Sequence, residues 1–109
     1  MSRASCAVLA LLLYLAATVS AQSADLGPEL WDRPRSAQAI LAHPQLREAV
    51  AQLQAKPAAR LRLAHGTRAE TQAQAEELRA WLIALAVEPS RLMLRADAAV
   101  AGVRLELVE

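Results

Sequence analysis

Residues 60–96 read RLRLAHGTRAETQAQAEELRAWLIALAVEPSRLMLRA, and this stretch decides the fold. Arginine and leucine alternate over 60–65, which is typical of a strand with one buried face. Segment 68–86 then has the apolar spacing of a helix, and LMLR at 92–95 predicts a second strand. The apolar stripe of the helix consists of Leu78, Trp81, Leu82 and Leu85. Such a strand–helix–strand unit predicts two parallel strands joined by a crossover helix.

The residues on either side of this unit extend the pattern. Residues 103–108, VRLELV, alternate and predict a third strand, which returns antiparallel. Upstream, apolar residues at helical spacing predict a short helix over 36–42 and a longer one over 44–55. Pro44 fits the first turn of the longer helix, and Pro57 ends it.

These elements predict an α+β fold in which two or three helices pack on a small three-stranded mixed sheet, all within one domain over 36–109. Residues 67–70, TRAE, match the capping box that opens a helix, so we expect the Thr67 hydroxyl to cap the long helix. Residues 22–35 contain one glycine and two prolines and show no period. They predict an extended lead-in that Trp31 holds to the core.

The N-terminal segment has the pattern of a cleavable export signal. Arg3 gives a short basic start, an apolar run follows over about 4–17, and small residues lead to Ala21. The run is shorter than the ~20 apolar residues that span a bilayer. We therefore expect residues 1–21 to be a signal peptide cleaved after Ala21, which leaves a periplasmic protein that is not integral to the membrane. Cys6, the only cysteine, leaves with the peptide.

Cleavage also changes the charge balance. The full chain carries 12 Lys+Arg against 11 Asp+Glu, and the loss of Arg3 makes the remainder neutral. A neutral domain has no overall attraction for nucleic acid, so we expect no nucleic-acid partner. Trp31 and Trp81 are the aromatic residues that remain, too few for a stacking platform.

No constellation of residues predicts catalysis. His43 and His65 are the two histidines, and neither has partners at the spacing of a metal site, so we expect structural roles and no metal. The chain has no Gly-x-Ser-x-Gly motif and no glycine-rich phosphate loop. Glu76 and Glu77 are interpreted as a solvated helix face. We expect a protein that is not an enzyme and has no cofactor.

Arginine is the residue type that forms a candidate site. The polar positions of the three predicted strands include Arg60, Arg62, Arg95 and Arg104. If the strands are neighbours, these side chains share the outer face of the sheet. There they are either solvated, as surface charges usually are, or they bind an anionic partner such as a glycan carboxylate or an acidic protein surface. Arg68, at the start of the long helix, adds a further donor.

Three stretches together carry a resemblance to a known family. The helix over 46–56 with its break at Pro57 is followed by RLRL at 60–63, WLIALAVEPSRL stands at 81–92, and VRLELV stands at 103–108. They resemble the helix, proline break and strand, the helix end written YL…GI…SRL, and the closing strand of OmpA-like domains. This resemblance implies a periplasmic domain that binds peptidoglycan.

The residues that would grip the cell wall depart from the family's pattern. The family follows its strand with Gly-His-Thr-Asp, whose aspartate grips diaminopimelate. This chain has AHGTR at 64–68 and so carries Arg68 in place of the aspartate. The family's arginine, within LSxxRA, falls near Gln74, although Arg79 offers an Arg-Ala pair in another register. Residues 22–35 hold no good candidate for the family's first strand.

Three hypotheses about function follow from the sequence. The first is an exported, non-catalytic binding or adaptor module that lacks the family's grip on peptidoglycan. The second is weak binding to the cell wall through Arg68, Arg79 and the outer-face arginines. The third is a small accessory subunit that docks to an envelope protein by a sheet edge.

Overall fold

A computed structural model describes residues 22–109. The signal peptide predicted over 1–21 lies outside the described residues. The helices and strands, in chain order, are β1 (Gln22–Leu26), α1 (Ala37–Ala42), α2 (Pro44–Ala55), β2 (Arg60–His65), α3 (Ala69–Ala84), β3 (Leu92–Ala96) and β4 (Val103–Val108). Short 3-10 turns at Pro28–Leu30 and Pro89–Arg91 precede α1 and β3.

The four strands form one mixed sheet in the order β1-β4-β2-β3. β2 and β3 are parallel, and β4 runs antiparallel to β2. The predicted α+β class, the strand–helix–strand unit and its returning strand are therefore confirmed.

The prediction of a three-stranded sheet is wrong, because the N-terminal lead-in contributes a fourth strand. β1 pairs antiparallel with β4 from Gln22↔Leu107 to Leu26↔Val103. The sequence QSADL does not show it, since serine and aspartate are poor strand formers and only tertiary pairing holds them extended. Leu30 is buried and Trp31 packs against the core, so the segment 22–35 is part of the domain.

The core lies between the sheet and the two longer helices. One face of the sheet points buried Leu61, Leu63 and Leu105 toward α2 and α3. The helices contribute the buried side chains Leu46, Val50, Leu53, Ala75, Leu78 and Leu82. Burial of each large apolar side chain stabilises the fold by about 1.5–3 kcal/mol. Among the described residues, both longer helices pack on this face, and the opposite face is covered by no helix.

The helix α2 starts at Pro44 as predicted, and α1 and α3 each start one residue later than predicted. The Ser36 hydroxyl accepts a hydrogen bond from the Ala39 amide at 3.1 Å and caps α1. Arg68 is the N-cap residue of α3 and makes no side-chain cap bond, so the capping box predicted from Thr67 is wrong. Because α3 begins one residue late for that motif, Thr71 occupies the third helical position. Its hydroxyl lies 2.8 Å from the Gly66 carbonyl oxygen instead.

Arg91 ties the end of α2 to the start of β3. Its Nη2 donates to the carbonyl oxygens of Leu53 and Lys56 at 2.7 Å, and its Nε donates to that of Ala59 at 2.9 Å. The Leu53 carbonyl is one of those that a helix end leaves without a partner within the helix. The sequence did not indicate this role, which fixes α2 over the sheet.

The C-terminus of α3 turns through a residue of unusual conformation. Ala86 has φ 72°, in the left-handed region that favours glycine. The Val87 amide donates to Leu82 and the Ala86 amide donates to Ile83, both at 3.0 Å, which is the hydrogen-bond pattern of a Schellman motif. An alanine in this position carries a steric cost of about 1–2 kcal/mol.

We predict that Ala86→Gly raises the free energy of unfolding by about 1 kcal/mol, because glycine adopts the left-handed conformation without that cost. Urea denaturation monitored by circular dichroism measures the change. Ala80→Gly, at an exposed position in the middle of α3, is the matched control and is expected to destabilise by about 1 kcal/mol. Destabilisation by both variants would contradict the strained helix end.

Candidate functional site

A polar cleft of about 650 Å³ opens between residues 28–35, the first half of α3 and the loop before β4. Its charged and hydrogen-bonding side chains are Trp31, Asp32, Arg35, Arg68, Glu70, Thr71, Gln74 and Glu77. We call this set the polar cleft. None of the described lining residues is a serine, cysteine or histidine, so what the cleft offers is charge and hydrogen bonding.

The wall of the cleft is built on a bidentate ion pair. Arg35 donates from Nε to Glu77 Oε2 at 2.6 Å and from Nη2 to Oε1 at 2.9 Å. Its Nη1 donates to the backbone carbonyls of Trp31 and Arg33, and its guanidinium lies 5.5 Å from the centre of the Trp31 ring. Two planar groups joined by two hydrogen bonds hold a fixed geometry. This pair fastens the segment 28–35 to α3.

The ion pair also corrects the interpretation of Glu77. Glu76 is exposed as expected, but Glu77 is bound to a residue 42 positions earlier in the chain. The hydrogen bond from Arg35 lowers the pKa of the Glu77 carboxyl below its ordinary value, against a smaller opposing effect of desolvation. Because Arg35 lies in a segment without periodicity, this contact could not be predicted from the sequence.

The lip of the cleft carries charges of both signs. The Arg68 side chain is 80% exposed and lies 3.7 Å from the Glu70 carboxylate, too far and too solvated to be held firmly. Asp32 and Glu70 are exposed acids of the same cleft, and Gln74 is half-buried. A ligand that carries both a carboxylate and an ammonium group would find a partner for each.

The inner end of the cleft depends on a close approach at Gly66. The Gly66 amide donates to the Gly102 carbonyl at 3.1 Å, and a Cβ at position 66 would lie 2.7 Å from the Val100 carbonyl oxygen. No side chain fits at that distance. The glycine therefore lets the loop before β4 close against the turn that leads into α3.

Of the six arginines predicted as site residues, four lie together on the outer face of the sheet. Cross-strand register places Arg62 opposite Glu106 and Ala64 opposite both Arg95 and Arg104, all pointing away from the helices. Arg60 lies two positions before Arg62 on the same face. The premise of the prediction, that the three strands are neighbours, is confirmed.

Two of these four arginines are already paired. Arg62 lies 3.2 Å from Glu106, and Arg104 lies 2.6 Å from Asp25 on the newly found strand β1. The Asp25 hydrogen bond raises the pKa of the Arg104 guanidinium. Arg60 and Arg95 are exposed and form no ion pair with any residue between 22 and 109.

The remaining two arginines of the predicted set have different surroundings. Arg68 lies at the lip of the polar cleft. Arg79 lies elsewhere on α3, where its Nη2 donates to the Pro89 carbonyl at 3.2 Å and its Nε lies 3.4 Å from that of Leu92. Those contacts brace the connection from α3 to β3, so Arg79 is a structural residue in this arrangement.

The histidines do not come together with other metal ligands. His65 is buried with Nδ1 2.9 Å from the Gly66 carbonyl oxygen. At the junction of α1 and α2, the buried Nδ1 atom of His43 has no hydrogen-bond partner among residues 22–109. Over residues 22–109 no three histidine, cysteine, aspartate or glutamate residues are grouped as metal ligands. In the same range, no helix is both long and apolar enough to cross a membrane.

A second cleft of about 290 Å³ lies between β1, β4 and α2. Its floor is apolar, formed by residues such as Ala49, Leu61 and Leu107, and small side chains leave it unfilled. Glu48 and Gln52 at its rim hydrogen-bond to each other at 3.0 Å. Because few polar groups converge on it, the polar cleft is the stronger candidate for a specific ligand.

Comparison with protein-family models, with curated proteins and with solved structures finds no match to this chain.

We predict that Glu77→Gln destabilises the protein most near neutral pH. Since the pKa of Glu77 is lowered by folding, its carboxylate stabilises the fold above the ordinary glutamate value of about 4.3, and this contribution is lost as the pH falls through the lower folded pKa. Urea unfolding of the parent protein and of Glu77→Gln between about pH 7 and about pH 3 measures the difference between their free energies of unfolding. This difference should narrow as the pH falls.

The control for this experiment is Glu76→Gln, which removes a neighbouring carboxylate that has no arginine partner in the described chain. At neutral pH we expect Glu76→Gln to lower the free energy of unfolding by less than Glu77→Gln does. A difference between Glu77→Gln and the parent protein that stays constant over the whole pH range would contradict the ion pair as its source.

Proposed function

We propose that this chain is an exported, non-catalytic binding module of the bacterial envelope that takes its ligand in the polar cleft. The proposal rests on the export pattern of residues 1–21 and on the geometry of the cleft. A periplasmic location is part of the proposal.

The observation that carries the proposal is the contrast between fixed and free charges in the cleft. Arg35 and Glu77 satisfy each other and form a rigid wall beside the Trp31 ring. At the lip, exposed Asp32 forms no ion pair among the described residues, and exposed Arg68 has only the loose 3.7 Å contact with Glu70. A preformed wall with loosely held charges at its rim suits the binding of a ligand with carboxylate and ammonium groups more than it suits catalysis.

A second candidate function is binding to the cell wall itself. The two positions that the OmpA-like resemblance equates with the gripping residues are 68 and 74, and both line the polar cleft. β1 also supplies a first strand, which the sequence comparison lacked. Since arginine replaces the family's aspartate, Arg68 would hold a carboxylate of the peptide stem where the family holds an ammonium group.

The test is sedimentation of the processed protein with purified sacculi. The full chain is expressed in a Gram-negative host, the periplasmic fraction is collected, and the N-terminus is sequenced, with Gln22 expected first. At low salt we expect the protein to sediment with sacculi. We expect Arg68→Ala to weaken the affinity roughly ten- to hundredfold, since a hydrogen-bonded charge contact contributes about 1.5–3 kcal/mol.

Arg47→Ala removes an exposed arginine of α2 outside the polar cleft and is the matched control. It should sediment like the parent protein. Failure of the parent protein to sediment at low salt would reject cell-wall binding. The broader proposal then depends on titration with free diaminopimelate and short peptides, monitored by tryptophan fluorescence. Absence of any saturable change in that titration would reject the cleft as a site for such ligands.

A further inference from the structure

The outer face of the sheet has an uneven distribution of charge, independent of the polar cleft. We call the ten outward positions of β1 to β4 the outer face; it carries four arginines and two carboxylates. Because the chain from residue 22 onward is neutral, this excess of positive charge on one face is balanced by acidic residues elsewhere. The outer face therefore carries a net positive charge, and the rest of the domain carries a net negative one.

The positive excess is concentrated on one half of the outer face. Asp25 and Glu106 lie on β1 and β4, where they neutralise Arg104 and Arg62. The two arginines without a carboxylate lie on the adjoining strands β2 and β3, whose own outward positions hold no acid. The nearest acid at this end is Asp97, directly after β3, whose charge acts on Arg104.

The two arginines without a carboxylate, Arg60 and Arg95, are spaced along the direction of strand β2. Arg95 lies beside Ala64, four residues along β2 from Arg60 and one strand across. With a rise of about 3.3 Å per residue and strands about 4.8 Å apart, their Cα atoms are roughly 14 Å apart. Arg62 lies between them and is 31% exposed, so it can contribute while it remains paired with Glu106.

From this placement we infer that the β2–β3 half of the outer face binds a linear polyanion, a chain that carries phosphate or carboxylate groups at regular intervals. Guanidinium groups bind both kinds of anion in a bidentate manner. A planar anionic surface fits less well, because the carboxylates of β1 and β4 would be pressed against it. Ala64, which lies between Arg95 and Arg104 on the outer face, is fully buried.

The test is calorimetric titration of the purified protein, expressed from the full chain, with long-chain inorganic polyphosphate and with polygalacturonate at low salt. We expect binding to at least one probe, and the probe that binds identifies phosphate or carboxylate as the preferred group. The double variant Arg60→Gln with Arg95→Gln should bind roughly tenfold more weakly, since two exposed ion pairs together contribute about that factor. High salt should abolish the binding.

Two matched comparisons complete the test. Arg33→Gln with Arg47→Gln removes the same charge from exposed positions away from the outer face, and its affinity should change less than about twofold. Asp25→Asn should strengthen binding several-fold, because it releases Arg104 from its ion pair. Glu88→Gln removes one negative charge from a position outside the outer face and should leave the affinity unchanged.

Three results would overturn the inference. The first is no binding to either polyanion at low salt. The second is an equal loss of affinity in both arginine double variants, which means that only net charge matters. The third is tighter binding to phosphatidylglycerol vesicles than to either linear probe, which assigns the face to membranes. Thermal unfolding of each variant establishes that it is folded before it is titrated.

Discussion

The C-terminal strand β4 lies between β1 and β2 and hydrogen-bonds to both. The sheet is therefore complete only when the last residues of the chain are inserted between its first strand and its central one. A strand in this position has its backbone donors and acceptors satisfied on two sides. The loss of either neighbour leaves a row of amides and carbonyls without hydrogen-bond partners. The rest of the architecture depends on this insertion.

Both proposed sites depend on it as well. By fixing β1, β4 brings the segment 28–35 beside α3, where Arg35 meets Glu77 and closes the wall of the polar cleft. On the other face, β4 presents Glu106 to Arg62 and Arg104 to Asp25. These pairs neutralise one half of the outer face and leave the β2–β3 half positive. One strand thus determines where the unpaired charge of the molecule lies.

The sequence predicted the elements with strong periodicity. β2, β4 and α2 have the predicted bounds, and β3 and α3 end within two residues of them, because burial of one face imposes a visible repeat of two or 3.6 residues. β1 was missed because it has five residues with no regular alternation, and its stability comes from β4. The cap at Thr67 failed because a shift of one residue in the helix start changes every capping position.

The candidate sites were predictable to different degrees. The outer-face arginines followed from strand alternation, since neighbouring strands must align their polar positions. Arg35, Trp31 and Glu77 were not predicted as a site because their contacts join segments 42 residues apart, with no local pattern. Similarly, neither the bracing role of Arg79 nor that of Arg91 is visible without the backbone carbonyls they bind.

The position of β4 is tested most directly by residue-resolved amide hydrogen exchange on the intact protein. In a central strand every amide donates to one neighbour or the other, so we expect the consecutive amides from 104 to 107 all to be protected. In an edge strand only alternate amides are bonded. Protection that alternates along 104–107, with no protection in 23–26, would contradict the four-stranded sheet and the two sites built on it.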